Sequence, residues 1–385
     1  MKAALTITPP PWMRDPDLVT LMGVLNSDGL NARLVGGCIR NHLMGHDIKD
    51  IDIACVLTPN IVIERLNEKY IKAIPTGIEY GTVTAVINKT HYEITTLRGD
   101  HNTDGRHADV IFSDNWNEDA ARRDFTINAL YADIDGSIYD PLETGIDDIQ
   151  NKRVRFIGNP EKRIKEDYLR ILRFFRFYAR YNNDDIHDES FAACKSLKNG
   201  MGALSDERIE DEIFKILSDK NADKAFFAMH DAGIFNLEES YIQQLSNLIE
   251  AQEQLNAQDS NTRYSQVKID KKLIKNKRIL KFFDLLDQFK TSWDANIKLS
   301  LYRFDRDVAL QGLLSLKSEG RDISDMTLSD AMNVPVPILP VTATDIMDHL
   351  KIGEGREVGT HLKRAENMWI ESDFKSKRLD ILDQL

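Results

Sequence analysis

The sequence changes character once, close to Pro160, and this change limits the folds that are open to the chain. Before it, short β-rich runs such as Thr82–Asn88 and His91–Leu97 alternate with turns and at least one helical segment. After it come long stretches with helical spacing and few glycines, namely Arg163–Tyr181, Ser205–Ser218 and Ala222–Ala232. We therefore predict an α+β protein, with a mixed β-sheet head up to about Ile157 and an all-helical remainder.

The length of 385 residues predicts several domains rather than one. One boundary is expected in the segment Asn333–Thr344, which contains Pro335, Pro337 and Pro340. Each proline removes a hydrogen-bond donor and disfavours helix in the residue before it. This segment therefore cannot be helical throughout.

The composition is that of a globular protein from a reducing compartment. A formal net charge of −12 argues against a histone-like nucleic-acid binder, although a local basic cluster can still bind RNA. The cysteines Cys38, Cys55 and Cys194 form no Cys-x-x-Cys pair, so neither a disulfide framework nor a cysteine zinc site is expected. Neither a targeting segment nor an apolar run of about 18 residues is present. These features predict a cytoplasmic protein without a membrane partner.

The most informative stretch carries two glycines, Gly36 and Gly37, after an apolar strand end and before a helix start. Glycines let the backbone approach a triphosphate closely, and the first turn of a helix offers free N–H groups to an anion. Arg40 adds a charged fork at the same place. By itself, a glycine pair before a helix is usually an ordinary turn.

Asp50 and Asp52 follow in a run of β-type residues, where alternation directs both carboxylates to one face. Two adjacent carboxylates repel each other, and a hard divalent cation such as Mg²⁺ removes that cost and binds phosphate oxygens. Glu93, in a second strand-like run, is a candidate for a third carboxylate. The alternative for Asp-x-Asp alone is a solvated strand edge. Walker-type and Gly-x-Gly-x-x-Gly phosphate loops are both absent.

These motifs resemble the nucleotidyltransferase family that includes the CCA-adding tRNA nucleotidyltransferases and the bacterial poly(A) polymerases. Further matches follow in order along residues 30–220. Arg122–Ala129 is similar to the ribose-binding motif of the family, and Glu166–Arg170 to its base-reading motif. Glu207–Ile209, with Glu212 and Lys215, resembles the helix that supports the latter. One departure is Asn41, where the family commonly has aspartate, and an asparagine cannot supply the same charge to order Arg40.

The resemblance implies a polymerase β-like fold with a five-stranded sheet in the head. The implied domains are a nucleotidyltransferase head at 1–155, a base-recognising helical neck at 156–220, an RNA-binding helical body at 221–335 and a tRNA-binding helical tail at 336–385. The cofactor implied is Mg²⁺.

The stretch Arg163–Tyr181 has no glycine or proline, so we interpret it as one helix. Its candidate nucleotide-binding residues lie on or beside one face of that helix: Glu166, Asp167, Arg170, Arg173 and Arg176. Cytosine and adenine both present an amine beside an unprotonated ring nitrogen. Asp167 can accept a hydrogen bond from the amine, and Arg170 can donate one to the ring nitrogen. Uracil and guanine present the reverse pattern and would leave buried groups unpaired. A solvated ladder of salt bridges is the alternative.

In the ribose-binding motif, Arg123 is a candidate for phosphate binding, and Asp124 and Asn128 for binding ribose hydroxyls, roles that the family resemblance also implies. The alternative is an ordinary helix entry capped by Asp124. Between Leu97 and Glu118 lies a polar segment at 98–107 that is rich in turn formers. By resemblance, a loop at this position helps to change specificity from C to A.

Two segments are candidates for RNA contact. The first is Lys268–Lys281, which carries seven basic residues against the single acid Asp270. A solvated helix face is the alternative. The second is Leu350–Gly359, which is compatible with either a helix–turn–helix phosphate clamp or a plain helical hairpin.

Together these features predict an enzyme that adds C, C and A to the 3′ end of tRNA from CTP and ATP without a template. A poly(A) polymerase, or an enzyme that adds only CC or only A, would use the same head. A catalytically silent RNA-binding module is disfavoured, because both Asp50 and Asp52 are retained.

Overall fold

The computed structural model describes residues 1–99, 111–181 and 185–385. The chain forms two compact units, Met1–Asn236 and Leu237–Leu385. Within the described residues, no helix has the length and apolar character needed to span a membrane. The four-part division at 155, 220 and 335 stays a prediction.

The first unit is built on a mixed sheet. Its strands and a separate two-stranded ribbon are β1 Leu5–Thr6, β2 Ala32–Val35, β3 Asp52–Cys55, β4 Lys72–Gly77, β5 Thr82–Ile87, β6 Thr90–Thr96, β7 Arg98–Gly99, β8 Ile111–Phe112, β9 Tyr131–Ala132 and β10 Ser137–Tyr139. The sheet has the order β1-β10-β9-β2-β3-β6-β5-β4, while β7 pairs with β8. Among the strands of the described sheet, only β3 and β6 pair in parallel.

The prediction of five strands is therefore too low for the sheet of the described residues, which has eight. Five adjacent strands of the sheet, β2, β3, β6, β5 and β4, each have four or more residues. The other three are strands of two or three residues that extend one edge. They lie in turn-rich sequence, where no periodicity of two can be recognised over so few residues.

Ten helices of the first unit are described: α1 Pro16–Leu25, α2 Gly37–Met44, α3 Pro59–Glu68, α4 Trp116–Ala121, α5 Gly145–Gln150, α6 Pro160–Glu166, α7 Leu169–Tyr181, α8 Asp188–Leu197, α9 Asp206–Leu217 and α10 Ala222–Ala232. The helices predicted at 205–218 and 222–232 are confirmed to within a residue. So are the strands predicted at 82–88 and 91–97. Strong periodicity explains this agreement.

The prediction of one helix over 163–181 is wrong. Asp167 has an extended backbone, with φ −155° and ψ 107°, and ends α6. Its carboxylate then accepts the N–H of Leu169 at 3.1 Å, and its carbonyl accepts the N–H of Arg170 at 3.0 Å. Aspartate competes in this way with the helix backbone, so it favours caps over helix interiors. The chain therefore restarts as α7 two residues later.

The second unit is helical in its described residues: α11 Glu239–Gln254, α12 Ser260–Val267, α13 Lys277–Ser292, α14 Ile297–Arg303, α15 Arg306–Ser318, α16 Asp325–Asn333, α17 Ala343–Leu350, α18 Arg356–Glu371 and α19 Arg378–Leu382. The proline-containing segment between α16 and α17 is non-helical, as predicted. Residues 351–355 form the turn between α17 and α18, which is consistent with both forms of the predicted helical pair.

Candidate active site

The glycine pair connects β2 to α2. Gly36 has φ 71° and ψ −114°, a conformation that side chains rarely adopt, and Gly37 begins the helix. A Cβ added to Gly36 would lie 3.5 Å from the carbonyl oxygen of Asn128 and 3.7 Å from Nη1 of Arg123. The predicted strand–glycine–helix arrangement is therefore confirmed. The glycine turn lies against the motif Arg122–Ala129.

The candidate carboxylates gather at the start of β3. Asp52 is its first residue and pairs in parallel register with Glu93 of β6. Asp50 precedes the strand and is exposed, so the prediction that strand alternation places both aspartates is wrong. Burial, followed by the negative charge of Glu93, raises the pKa of Asp52, and Asp50 adds to the same effect. The three acids therefore act on one another electrostatically.

The chemistry of these donors fits a hard divalent cation. They supply oxygen ligands only, and a cation would offset the burial and repulsion that disfavour the Asp52 carboxylate. Among the residues that the structure describes, no three carboxylate, histidine or cysteine side chains are grouped closely enough to hold a metal by themselves. This is compatible with magnesium, which is usually bound by one or two carboxylates together with substrate phosphates and water.

Arg123 is held beside the glycine turn by a residue that the sequence reasoning missed. Asp119, which is 1 % exposed, accepts from Nε and Nη2 of Arg123 at 3.1 and 2.9 Å. It also accepts from Arg122 and from the hydroxyl of Tyr131. The positive charge of Arg123 partly offsets the rise in the pKa of Asp52 that burial and Glu93 cause, so its field reaches the carboxylates. The spacing of three and four between Asp119 and the two arginines was the available signal.

Asp124 and Asn128 belong to one hydrogen-bonded network. Oδ1 of Asp124 accepts from the Phe125 N–H at 2.9 Å and from Nδ2 of Asn128 at 3.0 Å, while Oδ2 accepts from Nε and Nη2 of Arg173 at 2.8 and 2.5 Å. The alternative of a helix capped by Asp124 is wrong, because α4 ends at Ala121 and the next turn begins after Phe125. These four bonds use the usual acceptor capacity of a carboxylate. Asp124 therefore orients its neighbours in this structure.

Arg40 is largely enclosed and is ordered without a carboxylate partner in the described structure. Asn41 Oδ1 accepts from Nε and Nη2 of Arg40 at 3.1 and 2.8 Å and from the Tyr181 hydroxyl at 2.8 Å. Nη1 of Arg40 donates to Asn128 Oδ1, and the guanidinium lies over the rings of Phe177 and Tyr181 at 5.0 and 4.5 Å. Asn41 thus orders Arg40 although it has no charge.

The base-reading candidates lie at the end of α6, along α7 and, for Asp167, at the break between these helices. Oε2 of Glu166 accepts from Arg170 at 2.5 Å and from Arg163 at 2.6 Å. Oδ2 of Asp167 accepts from Arg208 of α9 at 2.8 Å, so α9 supports this turn as the resemblance implies.

Arg173 reaches Asp124, and Arg176 reaches Glu212 of α9 at 2.8 Å. These ion pairs join separate elements. The alternative interpretation, a solvated ladder of salt bridges along one helix, therefore applies only to the pair Glu166 and Arg170. The backbone break places Asp167 and Arg170 together on one turn.

Cys38 lies next to the glycine pair, in helix α2. Cys38 is buried, and its Sγ donates to the Val35 carbonyl at 3.5 Å. Burial, together with the charge of Asp52, raises the pKa of Cys38 to about 12, which makes it a packing residue and a poor nucleophile. The predicted loop at 98–107 lies outside the described residues from position 100 onward.

Comparison with known proteins agrees with this geometry. Residues 32–155 match the family described as the Poly A polymerase head domain, and residues 185–237 match the probable RNA and SrmB-binding site of polymerase A. The mitochondrial CCA tRNA nucleotidyltransferase 1 of Mus musculus is 31 % identical over 96 % of this chain and 89 % of its own length.

Two solved structures share the fold over nearly the whole chain. The Bacillus stearothermophilus CCA-adding enzyme in complex with CTP has a TM-score of 0.73 at 22 % identity and covers 97 % of both chains. The Thermotoga maritima CCA-adding enzyme complexed with tRNA has a TM-score of 0.70 at 16 % identity, over 100 % of this chain and 98 % of that one. The fold class predicted from the sequence is therefore confirmed. With its glycine turn, paired carboxylates and near full-length similarity to the mouse enzyme, the chain belongs to the CCA tRNA nucleotidyltransferase family.

Proposed function

We propose that the protein is a CCA tRNA nucleotidyltransferase that adds C, C and A to the 3′ end of tRNA from CTP and ATP. The observation that carries this proposal is the meeting of the glycine turn, Arg123, Asp52 and Glu93 in a chain that matches enzymes of that name over nearly its whole length. Near-complete coverage favours CCA addition over poly(A) synthesis, since the polymerase-named matches cover single segments.

The residues divide the work of nucleotide binding. The free N–H groups of the first turn of α2, which begins at Gly37 after the turn at Gly36, and the guanidinium of Arg123 bind the triphosphate. Asp167 and Arg170 bind the Watson–Crick edge that cytosine and adenine share. Glu166 restrains Arg170, and Arg208 restrains Asp167. Held in this way, the pair loses less side-chain entropy when a base binds.

Asp124, Asn128, Arg40 and Arg173 shape the ribose side of the site through the network described above. Because both oxygens of Asp124 are engaged, we assign the sugar hydroxyl contact first to Asn128, which keeps a second amide N–H. Arg176 braces the neck through Glu212.

Asp50 and Asp52, together with the substrate phosphates, would hold Mg²⁺, which would supply charge stabilisation to the phosphates and lower the pKa of a bound hydroxyl. Glu93 stays a candidate for a third catalytic carboxylate beside Asp52. The 3′ oxygen of the tRNA forms a bond to the α-phosphorus as the bond to the bridging oxygen of the β-phosphate breaks. Pyrophosphate leaves, and the hydroxyl proton passes to solvent.

The compartment is a separate prediction. The three cysteines are free and buried, in keeping with a reducing environment, and we retain the cytoplasm as the proposed location. The mouse relative is named as mitochondrial. Cell fractionation with a compartment marker would decide between the two.

The test is to incubate the purified protein with Mg²⁺, tRNA that lacks its three terminal nucleotides, and each labelled nucleotide in turn. Incorporation of two C residues and one A supports the proposal. Long A tails on any RNA end would replace it with poly(A) synthesis, and addition of C alone or A alone would identify a partial enzyme. A lack of any incorporation would reject nucleotidyl transfer and leave an RNA-binding module.

A further inference from the structure

The first unit contains a basic cavity whose lining includes Lys49, the neighbour of Asp50. It has a volume of about 530 Å³ and is lined by five Lys or Arg residues against two aspartates. The basic residues are Lys49, Arg176, Arg180, Lys215 and Lys220. In a chain of net charge −12, such a concentration of positive charge is unusual and favours an anionic ligand. We refer to it as the basic pocket.

Several of these cations are available to a ligand. Arg176 and Lys215 share the buried carboxylate of Glu212 at 2.8 and 3.1 Å. Lys49, Arg180 and Lys220, by contrast, form no ion pair with a carboxylate anywhere in the part of the chain that the structure describes. Lys49 and Lys220 are exposed. A bound anion would therefore meet cations that are not already neutralised.

Tyr181 connects the basic pocket to Arg40. The guanidinium groups of Arg40 and Arg180 lie 4.5 and 5.4 Å from the centre of this ring, and His46 of the pocket meets the ring edge at 5.1 Å. Asn41, which orders Arg40, is neutral. A carboxylate at that position would cancel the charge of Arg40. With asparagine, Arg40 keeps its positive charge beside Tyr181.

The location indicates which phosphates bind. The residues that line the pocket do not include the glycine turn or Arg123, which we assign to the triphosphate. The pocket does include Lys49, the residue directly before Asp50. A strand whose 3′ hydroxyl reaches the carboxylates therefore has its last phosphodiesters close by. The volume suits a small ligand or a nucleotide of a single strand rather than a duplex.

We propose that the basic pocket is a phosphate subsite for the terminal strand of the RNA that is extended, and that Asn41 preserves its positive charge by ordering Arg40 without a carboxylate. This inference rests on the proposed function for the identity of the RNA. The triphosphate of CTP carries the same chemistry, so the experiment must separate the two sources.

The test compares Arg180→Gln/Lys220→Gln with wild type and with Lys195→Gln, an exposed lysine of α8 outside the pocket. Affinity is measured by fluorescence anisotropy, without nucleotide, for tRNA lacking its three terminal residues and for a short single-stranded RNA. Binding of CTP alone is measured by equilibrium dialysis.

We expect the double variant to bind both RNAs on the order of tenfold more weakly. The slope of log affinity against log salt concentration should become shallower by about one for each lost cation. Its CTP affinity and the RNA affinity of Lys195→Gln should stay within about twofold. Unchanged RNA affinity would overturn the subsite, and so would a loss confined to CTP.

Asn41→Asp tests the second part with nearly the same side-chain volume. We expect several-fold weaker RNA binding with a melting temperature close to that of wild type. Unchanged RNA affinity in a folded variant would reject the role of Asn41. These readouts are ratios of RNA affinity, so they remain valid even if the wild-type protein fails to add C, C and A. Such a failure would count against the proposed function and not against the subsite.

Discussion

Replacing Asp52 with asparagine should lower catalysis and raise the stability of the metal-free protein. Asp52 starts β3 beside Glu93, and burial together with the charges of Glu93 and Asp50 raises its pKa. The carboxylate is therefore unfavourable in the folded state until a cation joins it. Asparagine keeps the shape and removes both the charge and the repulsion.

The raised pKa of Asp52 sets the sign of the pH dependence of folding stability. The folded pKa lies above the ordinary 3.8, so just above pH 3.8 the folded protein keeps a proton that the unfolded chain has released. The cost of the carboxylate grows as the pH rises through the folded pKa, and it is fully present at neutral pH. The gain from Asp52→Asn should therefore be present near pH 7 and vanish below pH 3.8.

The side chain of Asp52 is only partly buried, so the stabilisation should be modest. We expect about 0.5–2 kcal/mol, which corresponds to roughly 2–6 °C for a unit of this size. Catalysis should fall by at least about a thousandfold, because a metal ion supplies several kcal/mol of transition-state stabilisation.

Differential scanning calorimetry with a chelator, at neutral and at acidic pH, measures the first effect. Labelled CTP incorporation measures the second. Added Mg²⁺ should stabilise wild type and leave the variant unchanged. Asp211→Asn, at an exposed position on α9, is the matched control and should change stability by less than about 0.5 kcal/mol. If the variant melts at or below the wild-type temperature near pH 7 without metal, the electrostatic reasoning is wrong.

Three further changes test the site. Arg170→Gln should reduce the preference of kcat/KM for CTP and ATP over UTP and GTP by about 10- to 100-fold, because the donor to the ring nitrogen weakens; an unchanged preference would reject the base-reading scheme. Gly36→Ala should cost about 1–3 kcal/mol in urea unfolding because φ is 71°, whereas Gly23→Ala, with open space around it, should not destabilise α1, and equal effects would contradict the strain. Gly200→Ala would place a Cβ 1.9 Å from the ring of Tyr168, the neighbour of Asp167, and should raise KM for both nucleotides about tenfold. Gly202→Ala, with nothing within 4 Å, should leave KM within about twofold. Equal KM values in the two variants would show that the packing of Tyr168 does not position its neighbour Asp167 for nucleotide binding.

Several elements of the site could be read directly from the sequence. Strand β2, the turn at Gly36 and helix α2 follow from an apolar run, two glycines and a helical pattern between Ala32 and Met44. The strands around Glu93 follow from β-branched alternation. Such features depend on near neighbours in the chain, so local propensity and periodicity are sufficient to predict them.

The supporting contacts were not predictable in the same way. Arg173 reaches Asp124 across 49 residues, and Tyr181 reaches Asn41 across 140. The sequence raised the question of how Arg40 could be ordered without an aspartate at position 41. The answer required the positions of Tyr181 and Phe177 on a different element. Asp119 showed helical spacing to its arginines, but only folding placed Arg123 beside Gly36.

Local sequence therefore indicates which groups are available: carboxylates suited to a cation, glycines suited to phosphates, and a charged motif suited to a base. How these groups are held depends on the tertiary fold. It broke the helix predicted at 163–181 at Asp167, engaged both oxygens of Asp124, and left Arg40 as a cation ordered by neutral partners. The reason is physical, since the state of a buried polar group depends on every group that surrounds it, and those groups come from distant parts of the chain.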